Sequence, residues 1–163
     1  MKYSIKYSII TVSIFLLMFL IFGCNGKPRP DGTPPLVACS IFVQQEKTPL
    51  IDANVSLIPE DGSQWNAAGT TDASGVAKLY TLSQYEGVAI GRYKVVVSKM
   101  ETIPGMLGSS DGSTKGTPDP HFNLVELQYS DPTKTPLTLE IVKGTSRYEI
   151  DAGKAVRIQE KQR

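Results

Sequence analysis

The chain contains one histidine, His121, and two cysteines, Cys24 and Cys39, and these side chains bound most of the chemistry open to it. A catalytic or structural zinc centre draws three or four ligands from imidazoles, thiolates and carboxylates at fixed spacing, so a single His rules out metal catalysis by a His cluster. A nucleophilic pair of Cys39 and His121 is conceivable, because an imidazole can take the proton of a thiol. Cys39, however, is in phase with Val37, Ile41 and Val43 on the apolar side of an alternating segment. A free cysteine there behaves as a small buried hydrophobe. Asp72, Asp111, Asp119 and Asp131 offer oxygen atoms of the kind that bind Ca²⁺, but none stands in a D-x-D-x-D-G spacing. Asp-Gly and Asp-Pro pairs are ordinary turn chemistry. No metal and no cofactor is therefore expected. Three rings remain as candidate binding residues, Trp65, Tyr80 and Tyr85. They could stack on a sugar, and a coplanar exposed pair would mark that use; the competing expectation is that they cap the core of a small sandwich.

Cys24 belongs to different chemistry. Residues 1–24 read MKYSIKYSIITVSIFLLMFLIFGC, with Lys2 and Lys6 ahead of an apolar run at 9–22 broken by Thr11 and Ser13. As a helix that run would reach about 21 Å, short of a hydrocarbon core of roughly 30 Å. It therefore reads as a signal peptide over residues 1–23 rather than as a permanent span. Ile21-Phe22-Gly23-Cys24 resembles the bacterial lipobox. The resemblance implies cleavage between Gly23 and Cys24 and a diacylglyceryl thioether on the Cys24 sulfur. Several acyl chains at about 0.8 kcal/mol per buried CH₂ hold a domain stably on a lipid membrane. Asn25 in place of an Asp favours the outer membrane or cell surface. Removing Lys2 and Lys6 with the signal leaves 15 basic against 16 acidic residues. Such a near-neutral domain has no general attraction for nucleic acid.

The elements behind these residues follow from periodicity. Residues 24–35 comprise the lipidated Cys and a tether holding four Pro and two Gly, which extends up to about 34 Å as polyproline-like chain. A domain over 36–158 alternates apolar and polar residues, as half-buried strands do. Val55 and Leu57 share one face, as do Ala77, Leu79 and Thr81. Tyr93, Val95 and Val97 form the clearest inward face, followed by Leu137, Leu139 and Ile141, then Tyr148 and Ile150 with Val156 and Ile158. Pro59-Glu60-Asp61-Gly62 and Asp72-Ala73-Ser74-Gly75 punctuate these runs as turns. Residues 100–120 read as a long loop, and 159–163 as a charged tail. With 14 Gly and 11 Pro and no helical periodicity, the domain is expected to be all-β. The expectation is a Greek-key β-sandwich of about seven strands, preceded by a signal-peptide helix.

Three segments together resemble the transthyretin-like, carboxypeptidase-regulatory-like sandwich. They are Thr48-Pro49-Leu50 leading into Ala53-Asn54-Val55-Ser56-Leu57, then Thr70-Thr71-Asp72-Ala73-Ser74-Gly75-Val76-Ala77, then Gly91-Arg92-Tyr93-Lys94-Val95-Val96-Val97. With the lipobox and Tyr129-Ser130-Asp131-Pro132, the chain also resembles small lipoproteins of planctomycetes. Enzymes of similar architecture use several His with a C-terminal Tyr-Arg-Gly-Ser, or two Tyr and two His on iron. This chain has one His and ends Glu160-Lys161-Gln162-Arg163. The sequence therefore points to a membrane-anchored, non-catalytic interaction or structural module of the envelope, with an envelope protein or a glycan as partner. A carbohydrate-binding module at the cell surface is the alternative, and a small hydrolase comes last.

Overall fold

The computed structural model describes residues 28–103 and 121–159. The signal peptide, Gly23, Cys24, the start of the tether, most of the 100–120 loop and the end of the tail lie outside the described residues. The chain divides into two units, residues 1–31 and 32–163, and the second holds the strands.

Among the described residues, the strands are β1 Leu36–Val37, β2 Ser40–Gln45, β3 Thr48–Pro49, β4 Asn54–Pro59, β5 Ala67–Thr70, β6 Val76–Lys78, β7 Tyr80–Thr81 and β8 Tyr85–Glu86. They continue with β9 Val88–Ala89, β10 Gly91–Ser98, β11 Met100–Thr102, β12 His121–Asn123, β13 Thr138–Ile141, β14 Arg147–Asp151 and β15 Ile158–Gln159; one short helix, α1, spans Leu127–Ser130. A six-stranded sheet runs β13-β10-β4-β5-β7-β8, and a second sheet joins β14, β2, β3 and β6 around β2. The result is the expected all-β sandwich.

Alternation explains the core. From the larger sheet, Val55, Leu57, Tyr93, Val95, Val97 and Ile141 are buried; from the smaller sheet, Ile41, Val43, Ala77 and Ile150 meet them in one cluster. Leu137, Leu139 and Tyr148 pack against that cluster from its margin. Val156 is only partly buried and Ile158 is 37% exposed, so the inward face expected for that pair is corrected. Ile158 pairs with Asn123 in a small sheet of its own with β11 and β12, outside the two main layers.

Polar bonds close the places where the ladders stop. The Tyr93 hydroxyl, at the start of β10, donates to the Ala89 carbonyl at 2.8 Å, the back-bond of a tyrosine corner. Beside Val95 the Thr135 hydroxyl is inserted into the ladder: Val95 N–H donates to the Leu137 carbonyl, Leu137 N–H donates to the Thr135 hydroxyl at 3.2 Å, and that hydroxyl donates to the Val95 carbonyl at 2.7 Å. Gln45 is buried at the end of β2, where its amide donates to the carbonyls of Leu124 at 3.1 Å and Lys154 at 2.8 Å. The β12–α1 and β14–β15 connections are thereby tied to the end of β2.

Among the described residues the sheets are divided into fifteen short strands, because the chain leaves β geometry between pairs. Leu82 and Ser83 have φ of 52° and 57°, and Gly87 has 101°. These residues follow the alternation of Ala77, Leu79 and Thr81 and end it. The loop placed at 100–120 begins later, since Met100–Thr102 pairs with His121–Asn123. Gln159 likewise pairs with Phe122 and is not free tail. Finally, β2 and β14 run parallel, from Ser40 opposite Arg147 to Gln44 opposite Asp151.

Candidate functional site

The residues able to do chemistry are held apart. Cys39 is buried in the core cluster, and burial pushes its thiol up to about 11. The group is therefore a protonated, poorly nucleophilic packing residue. His121 lies on β12 and bonds through Nδ1 to the Thr102 hydroxyl at 2.9 Å, in the small sheet rather than in the core cluster. Asp72 Oδ1 accepts from Ser74 N–H at 2.8 Å, the Ser74 hydroxyl at 2.6 Å and Val76 N–H at 3.1 Å. Asp131 Oδ1 does the same for Thr133, and its Oδ2 pairs with Lys134 at 3.0 Å. These bonds favour the charged carboxylates. The Asp72 pKa is lowered, first by the Ser74 hydroxyl, and that of Asp131 is brought to about 2, first by the Thr133 hydroxyl. Asp111 and Asp119 lie outside the described residues. Among those described, no three His, Cys, Asp or Glu side chains gather as metal ligands.

The aromatic trio is also divided. Tyr80 stands opposite Ala68, which stands opposite Ser56, in one cross-strand row of the larger sheet. The small side chains of that row floor a groove of about 590 Å³ bordered by Tyr80 and Lys78. Tyr85 is in register with Thr81, the neighbour of Tyr80. Successive strand residues face opposite ways, so Tyr80 and Tyr85 belong to opposite faces of their hairpin. Trp65 precedes β5 and borders a different depression, of about 540 Å³.

That second depression is built at one end of the sandwich. Its walls are the β4–β5 connection, carrying Glu60, Asp61 and Ser63, and the approach to β10, carrying Ile90 and Arg92. The register that sets Pro59 opposite Tyr93 brings the two walls together, and Glu60 N–H donates to the Arg92 carbonyl at 3.0 Å. Asp61 Oδ1 accepts from Ser63 N–H at 2.9 Å, and its pKa is lowered, first by that backbone bond. Tyr93 lies below. Burial first, and then the charges of Asp61 and Cys39, push its phenol up to about 12.

Glu60 and Arg92 line this depression without a signal of their own in the sequence. Pro59-Glu60-Asp61-Gly62 carries a turn signal, and Arg92 sits on the polar side of an alternating strand. Nothing local joins them, because the β4–β10 pairing alone makes them neighbours.

No family model matches the chain. No curated protein matches it either. Among solved structures, the chain is similar to one described as a "putative adhesin" from Bacteroides ovatus ATCC 8483, at 15% identity and a TM-score of 0.37. The match covers 83% of this chain and 49% of that one, so the chain spans about half the length of that structure. A likeness at this level carries no assignment of role, which has to come from the residues themselves.

Proposed function

We propose that the protein is an exported lipoprotein whose transthyretin-like sandwich serves the envelope as a non-catalytic interaction module. The observation that carries this reading is the order of segments in the sequence. Ile21-Phe22-Gly23-Cys24 closes an apolar run too short to span a bilayer, a Pro- and Gly-rich stretch follows, and then an all-β domain begins. Acylation of Cys24 would hold that domain at a lipid surface. Support for the non-catalytic part comes from how the reactive side chains are used. Cys39 fills the core, His121 bonds to Thr102, and Asp72 and Asp131 brace turns.

The test is metabolic labelling with an alkynyl fatty acid in a bacterium expressing the full chain. The wild type should carry the label and fractionate with membranes. Cys24→Ser should carry none and accumulate as the uncleaved precursor. Equal labelling of both proteins would overturn the proposal.

A further inference from the structure

We propose that the depression between the β4–β5 connection and the start of β10 is a saccharide-binding site, with Trp65, Glu60 and Arg92 as its recognition groups. This rests on the reading of the chain as an interaction module and names the ligand class that module would take.

Glu60 and Arg92 are exposed and adjacent. Among the described residues, however, neither the carboxylate nor the guanidinium has an ion-pair or hydrogen-bond partner, and the Trp65 indole N–H has none. The contrast with Asp131 is direct, since both of its oxygens are engaged, Oδ1 by Thr133 and Oδ2 by Lys134. Here an acceptor-only group, a donor-only group and a half-buried aromatic ring border one concavity of about 540 Å³. That size, with polar and apolar surface in nearly equal share, suits a small ligand that is itself of mixed character.

The composition selects the ligand. A pyranose has a face of C–H bonds that stacks on an indole and a rim of hydroxyls that both donate and accept. Neighbouring hydroxyls can donate to Glu60 and accept from Arg92 at once. A phosphorylated ligand would meet the charges of Glu60 and Asp61. A purely apolar ligand would desolvate those carboxylates without partners. A bare cation would meet Arg92 and an Asp61 oxygen already engaged by Ser63. The groove beside Tyr80 has no indole, and its one carboxylate, Asp72, already gives Oδ1 to three bonds of its own turn.

The test uses the full chain in detergent. Trp65 is the sole tryptophan, so its fluorescence reports on this depression directly. A broad glycan array identifies a binder, and titration of that oligosaccharide should shift the Trp65 emission saturably. Arg92→Ala and Glu60→Ala, both at exposed positions, should each weaken binding by roughly 10- to 100-fold, the loss of one charged hydrogen bond, with the melting temperature unchanged. Tyr80→Ala should bind as the wild type does. No array binder, binding of peptides in place of glycans, or glycan binding that survives both charge removals would each overturn the proposal. Fatty-acid labelling of Cys24 is read in the same samples, so failure of the glycan site is distinguishable from failure of the anchoring.

Discussion

Val95 shows how much a single side chain in this protein is committed. Its side chain has no exposed surface, and its backbone N–H and carbonyl are both taken, by Leu137 and by the Thr135 hydroxyl. Val95→Asp would bury an unpaired carboxylate among Leu57, Val97 and their neighbours. It should cost several kcal/mol, about the whole stability of an ordinary domain. The expected outcome is loss of the cooperative unfolding transition; a soluble variant with an unchanged melting temperature would reverse the assignment of inward residues. Gln45 makes a subtler case. Gln45→Leu keeps the volume but leaves the Leu124 and Lys154 carbonyls without a donor, which should cost about 2–4 kcal/mol in urea denaturation. The burial of Val95 is legible from alternation alone. The role of Gln45 is not, because its partners lie 79 and 109 residues away and an alternating pattern reports only which face a residue takes.

At the scale of elements, the turn from Asp72 to Gly75 is the part most completely written in the sequence. Asp72 accepts three bonds from the turn it opens, and Gly75 has φ of 76°. A Cβ at Gly75 would also stand 2.9 Å from both the Val43 carbonyl oxygen and the Pro49 Cβ. Gly75→Ala combines left-handed strain with that contact and should cost about 2 kcal/mol or more. A loss near zero in chemical denaturation would mean that the neighbouring β2–β3 hairpin yields easily. The 100–120 segment is the opposite case. Its Gly, Pro, Ser and Thr content reads as loop throughout, yet Met100–Thr102 is a strand because His121–Asn123 supplies its partner. Arg157 then stacks 4.4 Å from the Phe122 ring and pairs with Glu101 at 3.0 Å, tying β15 to β11 and β12. Pairing with a distant strand overrides local composition, which is also why the β2–β14 parallel contact and the Glu60–Arg92 meeting leave no local trace. Any shortening of the loop must therefore spare Met100–Thr102. A replacement that removes those three residues should free β12 and β15, read as faster hydrogen exchange at Phe122 and Asn123.

The molecule as a whole rests on its core, since Cys39 is a buried free thiol and the other cysteine, Cys24, is the expected lipid site. Its stability should therefore follow the titration of a few named groups. On the acid side, Asp61, Asp72 and Asp131 all have folded-state pKa values below the usual 3.8, with Asp131 at about 2. Each holds its proton less tightly folded than unfolded, so its contribution is complete above about pH 4 and is lost as pH falls through the folded value. On the alkaline side the sign reverses. Cys39 rises from 9.0 to about 11 and Tyr93 from 10.0 to about 12, so both hold their protons more tightly when folded. Their contribution is complete below about pH 9 and is lost as pH climbs through 11 and 12, because the unfolded chain ionises first. The expected profile is a plateau through neutral pH with a shoulder falling from pH 4 to 2 and a second falling above pH 9. Denaturation midpoints measured across that range should show Asp131→Asn flattening the acid shoulder, because its carboxylate is displaced furthest. Cys39→Ala should flatten the part of the alkaline fall between pH 9 and 11 and leave the later part to Tyr93. A Cys39→Ala protein that keeps the full fall from pH 9 would show that the buried thiol does not govern this range and would transfer the effect to Tyr93.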